Sequence, residues 1–357
     1  AAQLQQQFAA AGLADCMQSL GRVTADEDLC IADAAGDELL RQPLWQLQQK
    51  WAHTSYQLQR LRDNPRCADE EYAALEQWRT PPLCSEYAFT PPAPMIHTRA
   101  QPKVAILREQ GVNSQTEMAA AFMHAGFTAV DVHMSDLQAR PDMLQTFQGL
   151  AVCGGFSFGD VLGAGRGWAR SILFHDALRQ AFAEFFADTT RFALGICNGC
   201  QMLANLRELI PGSRHWPQLL ANRSGQYECR LSLVQVQPGP SLFLHGMHGS
   251  VLPIVTAHGE GRMQFADEQA QQQVAVSMRY VTAPGQIAAH YPANPNGSAQ
   301  GICAVSNDDG RITLSMPHPE RLLRRQNSGW MSAAEMRKAP QASPWLQMFH
   351  NAYQWLQ

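Results

Sequence analysis

The chain has few charges, no long apolar run and no paired-cysteine framework, and each shortage removes a class of protein. Charged residues are 16% of the 357 and leave a formal net charge of -4. There is no basic stripe of the kind that neutralises a phosphate backbone, so nucleic acid is not an expected partner. No stretch is long and apolar enough to cross a bilayer as a helix, which argues against a membrane protein. The opening AAQLQQQFAAAG has neither the basic region nor the continuous apolar core of an export signal. It also lacks an initiator Met and starts inside a helical pattern, so a fragment or a processed chain is expected. The nine cysteines, at 16, 30, 67, 84, 153, 197, 200, 229 and 303, are odd in number and scattered. That pattern reads as a reducing, cytoplasmic setting, and only Cys197 and Cys200 have metal-ligand or redox spacing.

What is present is 45% hydrophobic residues, enough for two or three well-buried units. Residues 1–80 read as helical with a short strand pair, DLCIAD and DELLRQ. Leu44, Leu47, Trp51, Leu58 and Leu61 recur at helical spacing after Pro43, and such a stripe predicts a packing face. Residues 81–102 hold six prolines and no periodicity, the signature of a semi-rigid linker. From 103 the pattern becomes α/β: KVAIL, then a helix opening at Ser114 with Glu117 at capping-box spacing, then AVDVH, LAVCGG and FALGI with helices between. Such alternation predicts a mostly parallel central sheet flanked by helices, with ligands beyond the carboxyl ends of its strands. From about 227, YECRLSLVQV, VLPIVTA, VAVSMRYV, GICAVSN and RITLSM form an antiparallel, strand-rich extension, and PWLQMFHNAYQWL closes the chain as a helix.

The segment ALGICNGCQMLANL carries the chemistry. An apolar strand breaks at Gly195, presents Cys197 and turns through Gly199 into a helix, the thiol version of a nucleophile elbow. Unpaired amides and the positive dipole end of that helix favour thiolate over thiol, which suits covalent catalysis by sulfur. A thiolate nucleophile needs a base, and the base needs an orienting acceptor. Two segments have that spacing: His258-Gly259-Glu260 and His318-Pro319-Glu320. Pro317 and Pro319 help hold one imidazole orientation, which favours His318 with Glu320 fixing its tautomer. Acyl transfer also needs amide donors for an oxyanion, expected from Asn198 and from the turn Gly154-Gly155-Phe156.

Neither glycine cluster fits a nucleotide fingerprint, and no second C-x-x-C or H-x-x-x-H completes a zinc site, so neither a nucleotide nor a metal is expected in this chain. A dithiol redox site at Cys197 and Cys200 is the competing reading, since it too puts a cysteine at a helix N-terminus. Against it stand the glycine frame, the oriented His and the separate oxyanion loop, and Cys200 reads as packing near Met202 and Leu203. A catalytically silent interaction domain is the second alternative.

GICNGCQ with PHPE downstream resembles the glutaminase domain of class I (triad) glutamine amidotransferases, which have a flavodoxin-like α/β fold. LREQGVNSQTEMAAAF, CGGFSFGDVLGAGRGWA, NLRELIPGS, HGEGR and YPANPNGS are similar to the phosphoribosylformylglycinamidine synthase family in its large single-chain form, over residues 103–357. HTSYQLQRLRDNP resembles the segment that closes that family's synthetase part, so residues 1–80 would be its tail. The resemblance implies that Cys197 attacks the side-chain amide of glutamine, that His318 and Glu320 complete a triad, and that Gln201 helps hold the substrate. It also implies that the ammonia passes to synthetase domains, which use ATP and magnesium to turn formylglycinamide ribonucleotide into the amidine. By the same resemblance, those sites would lie in synthetase parts that this chain is expected to lack.

Overall fold

The structure is a computed structural model and describes residues 2–77, 83, 85–95, 102–328 and 343–357. The chain divides into two compact units, Ala1–Thr54 and Ser55–Gln357. In the first, α1 (Ala2–Ala10) precedes the expected strand pair, β1 (Asp28–Ala32) and β2 (Glu38–Pro43), which run antiparallel with Asp28 opposite Pro43. The following helix, α2 (Leu44–Arg62), contains the boundary between the units.

The apolar stripe on α2 is not a buried packing face. Leu44, Trp51, Leu58 and Leu61 are 39%, 85%, 64% and 86% exposed. Leu47 is half-buried; at the other four positions helical periodicity lines the side chains up, but the described residues supply no surface that buries them. The expected boundary near residue 80 falls among residues outside the described ones. Within the linker, Glu86 exchanges two 2.8 Å backbone hydrogen bonds with Val251, and Met95 N–H donates to the His124 carbonyl.

The second unit opens with α3 (Pro65–Ala74), where Asn64 caps the Cys67 amide and Pro65 takes the first turn, which needs no amide donor. Then come β3 (Lys103–Arg108), α4 (Gln115–His124), β4 (Thr128–His133), α5 (Met134–Ala139), β5 (Gly149–Val152), α6 (Arg166–Leu173), α7 (Asp176–Ala187), β6 (Phe192–Ile196) and α8 (Asn198–Asn205). The strand-rich half follows: β7 (Gln218–Leu220), β8 (Glu228–Val236), β9 (Val251–His258), β10 (Arg262–Gln264), α9 (Glu268–Gln273), β11 (Ala275–Ala283), β12 (Gln286–Ile287), β13 (Ile302–Ser306) and β14 (Ile312–Ser315). A last helix, α10 (Leu346–Trp355), ends the chain.

Ten of these strands build one sheet in the order β4-β3-β5-β6-β14-β13-β11-β8-β9, with β12 paired to β11, while β7 and β10 pair antiparallel in a sheet of their own. The first five are parallel and the rest antiparallel, the α/β architecture with an antiparallel extension that the alternation predicts. From β3 the chain winds outward to β4 and from β5 the opposite way to β6. Right-handed crossovers in the two directions put their helices on opposite faces. One core joins the layers, with Phe122, Phe127, Phe192 and Phe349 packing edge-to-face or stacked at 5.1 to 6.1 Å between centroids.

The expected capping box at Ser114 does not form. The Ser114 hydroxyl accepts from the Gly154 amide at 2.8 Å instead, so this helix start braces the loop after β5.

Candidate active site

Parallel strands β5, β6 and β14 are neighbours, with Val152 beside Gly195 and Ser315 beside Ile196. Their carboxyl ends lie about 5 Å apart, so the Gly154 turn, Cys197 and His318 converge although 164 positions separate the first from the last. Cys197 has φ 52° and ψ -109°, a conformation that costs a non-glycine residue on the order of 1–3 kcal/mol. It is over-determined from both sides: the Cys197 amide donates to the Ser315 carbonyl at 2.8 Å, and its carbonyl accepts the Gln201 amide at 3.0 Å. The flanking glycines are required by close approach. A Cβ at Gly195 would lie 2.8 Å from the Gly199 carbonyl oxygen, and one at Gly199 would collide with the Val152 carbonyl.

His318 is buried, its amide donates to the Val255 carbonyl at 2.8 Å, and its Nδ1 lies 2.6 Å from Glu320 Oε1. Burial alone would pull the imidazole's proton affinity down. The Glu320 carboxylate and the Cys197 sulfur outweigh it, and the pKa is raised to about 10. Nε2 has no hydrogen-bond partner among the described residues, and the Cys197 thiol rests against the Ala257 carbonyl, Sγ to O 3.5 Å. The carbon between the two ring nitrogens and Cys197 Cβ would lie 2.7 and 3.2 Å from a Cβ at Gly154. Gly154→Ala should therefore displace the imidazole and lower kcat for any thiol-dependent reaction at least tenfold, with far-UV circular dichroism unchanged. Undiminished kcat in the variant would mean that the ring position is not critical.

Of the turn amides expected as oxyanion donors, two already have acceptors. The Gly154 amide is taken by Ser114 Oγ and the Phe156 amide by the Gly111 carbonyl, both at 2.8 Å. Gly155 is left as the amide of that turn without an acceptor among the described residues, beside the Asn198 amide on the first turn of α8. The Asn198 side chain organises the loop: its Oδ1 accepts from Ser157, and its Nδ2 donates to Asp160 and to Gln201 Oε1, all at 3.0 Å. Gln201 Nε2 in turn donates to the Glu260 carbonyl at 2.7 Å, and Glu260 Oε2 accepts the Ala164 amide.

The HGEG turn thus borders this site. His258 is fully enclosed, and both its ring nitrogens lack partners among the described residues. Burial, with His318 nearby, lowers its pKa to about 3, which keeps it neutral. The NPNG loop supports the same turn, since Asn296 Nδ2 donates to the Gly261 carbonyl, as does Asn222 Nδ2 to that of His258.

Two contributors escape sequence reading. Ser114 has a good helical role by spacing, and only the fold shows the hydroxyl diverted to Gly154. Asp160, in the glycine-rich loop, is raised by burial and by Glu260 despite hydrogen bonds from Asn198 and Gly165. An acidic residue in a loop after a strand end was its only signal. Cys200 is completely buried in the turn after Cys197, and burial pushes its thiol well above the ordinary range.

The profile of the CobB/CobQ-like glutamine amidotransferase domain matches residues 101–356. Among solved structures, the chain is similar to one in PurLQS from Thermotoga maritima, with 25% identity and a TM-score of 0.54 over 72% of this chain and all of that one. It also aligns with a glutamine amidotransferase of Thermotoga maritima, at 13% identity and a TM-score of 0.40 over 72% of this chain and 97% of that one.

Proposed function

For a chain that belongs to the CobB/CobQ-like glutamine amidotransferase family, and is an amidotransferase enzyme, we propose that Cys197, His318 and Glu320 hydrolyse glutamine to supply ammonia. The observation that carries this reading is the strained Cys197 at the start of α8 beside a buried imidazole held at 2.6 Å by a buried carboxylate. The Cys197 thiolate attacks the side-chain carbonyl carbon of glutamine, and the oxyanion is met by the Gly155 and Asn198 amides. The His318 imidazolium protonates the leaving nitrogen, releasing ammonia and leaving a glutamyl thioester. His318 then takes a proton from water, which attacks the thioester and returns glutamate and the thiol. Gln201 positions the substrate, and the Asp160 and Glu260 carboxylates suit the glutamine α-ammonium.

The ammonia's destination, on this reading, is the ATP- and magnesium-dependent conversion of formylglycinamide ribonucleotide to its amidine by synthetase domains outside this chain, in the cytoplasm. The likeness to a PurLQS chain supports that assignment. Among the described residues no helix is long and apolar enough to cross a membrane. The redox reading draws no support from a Cys200 that is wholly enclosed with a raised thiol pKa.

A diazoketone analogue of glutamine should alkylate Cys197 alone, seen by mass spectrometry of its peptide. A folded sample that resists labelling would instead favour the silent interaction domain. Mixed with a synthetase part, formylglycinamide ribonucleotide and ATP, the chain should make amidine formation depend on glutamine rather than on added ammonia. Formation from ammonia but never from glutamine would reject the coupled role.

A further inference from the structure

Away from the site around Cys197, the second unit has a cavity of about 440 Å³ lined by α6, the end of α8, the turn after it and β7. Arg166, Arg170 and Arg207 line it with Asn205 and Gln218, and no Asp or Glu is on its wall. Arg166 and Arg170 are four residues apart on α6, where like charges repel. Arg60, Arg108, Arg191, Arg230 and Arg311 of this unit are neutralised by carboxylates, while Arg223, Arg262, Arg279 and Arg321 lie apart from the cavity and bond to carbonyl or amide oxygens. Among the described residues, no carboxylate lies within ion-pair distance of the three cavity arginines. The acid nearest in sequence, Glu208, is committed to Arg179, and the Arg207 guanidinium has only a 3.4 Å contact to the Trp216 carbonyl.

Three unneutralised guanidiniums around one hollow are a receptor for a compact anion. Their planar forks match phosphate oxygens two at a time. The rest of the wall, Leu173 and Leu219 among it, is apolar and suits the carbon part of a ligand. The volume falls within the ~300–1,000 Å³ of small-molecule pockets. An acidic protein partner would need a broad face, about 800 Å² on each side, rather than a hollow.

We propose that this cavity binds a small phosphorylated ligand, with its phosphate among Arg166, Arg170 and Arg207 and its organic part against Leu173 and Leu219. Sugar phosphates and nucleoside monophosphates share this chemistry, and the probes separate them. The chain is titrated calorimetrically at low ionic strength with ribose 5-phosphate, adenosine 5′-monophosphate, inorganic phosphate and a short polyglutamate. Ribose 5-phosphate or the nucleotide should bind saturably with Kd near ~1 mM or tighter. Arg170→Gln and Arg207→Gln should each weaken it about tenfold, while the melting temperature and Cys197 alkylation stay unchanged, since both side chains are exposed. Three results overturn the proposal: no saturable binding of either organic phosphate, affinity unchanged in both variants, or binding of polyglutamate alone, which would mark a protein interface. Inorganic phosphate binding as tightly as both organic probes would remove the organic half of the ligand and overturn the proposal as stated.

Discussion

Cys197→Ala should reduce glutamine hydrolysis to background, a loss of at least about 10⁴-fold in kcat, while Cys200→Ser should keep kcat within a few-fold. The asymmetry follows from where each sulfur sits. Cys197 occupies the strained turn between β6 and α8, close to His318. Cys200 is fully enclosed on the first turn of α8, with its thiol pushed up by burial first and by the neighbouring cysteines after it. Serine there buries a hydroxyl in place of a weakly polar sulfur and costs about 1–3 kcal/mol if that hydroxyl finds no partner. The effect belongs in the melting temperature, not in turnover. Steady-state ammonia release from both variants, with thermal melts alongside, checks the pair of outcomes. A dithiol oxidoreductase would give a different result, with both substitutions equally lethal.

The second large effect is expected at Glu320→Gln, which should lower kcat by roughly 10²–10⁴-fold and leave KM within a few-fold. Glutamine is nearly the same size, but its amide can present a donor to Nδ1, where the carboxylate can only accept. That favours the tautomer in which Nε2 carries the proton, the wrong one for taking a proton from the thiol. The pH profile gives an independent reading. Glu320 is the main charge opposing the effect of burial on His318, whose pKa stands at about 10 against an ordinary 6.5. Without the carboxylate the imidazolium is lost at lower pH, so the alkaline limb of kcat/KM should move toward neutrality.

Stability follows the same sign. A raised folded-state pKa contributes stability that is fully present below about 6.5 and is lost as pH rises through about 10. Melting temperatures of the wild type should therefore fall across that window more steeply than those of Glu320→Gln. Parallel slopes in the two proteins would contradict the coupling of His318 to Glu320.

Much of this arrangement was legible in the order of residues because it depends on local rules. Glycine at 195 and 199 around a cysteine encodes the elbow, since close approach at both positions excludes a side chain. The alternation of apolar runs and amphipathic stretches from 103 encodes the parallel sheet, and Pro317 and Pro319 mark a rigid perch for His318. Where expectation and structure differ, a long-range partner intervenes. Ser114 has the spacing of a helix cap, yet its hydroxyl is taken by Gly154, forty positions away. In the Gly154-Gly155-Phe156 turn two of the three amides expected as oxyanion donors already have acceptors, Ser114 and Gly111. The α2 stripe has the periodicity of a packing face, yet four of its five residues are exposed.

The sequence by itself determined the candidate nucleophile, the order of strands and helices along the chain and the two histidine candidates, since these rest on neighbouring residues and on periods of two and 3.6. The prolines around 318 already favour that histidine, and the tertiary structure adds what faces each ring. Both are buried, but a buried imidazole is shaped by whatever faces it. His318 faces Glu320 at 2.6 Å and holds its proton more tightly, whereas His258 has no acceptor among the described residues and stays neutral. Both carry a glutamate two positions on. The carboxylate after His318 turns back onto its ring, while the one after His258 is spent on the Ala164 amide, a choice made by the packing of β14 and the loop before α6 and by nothing in the spacing.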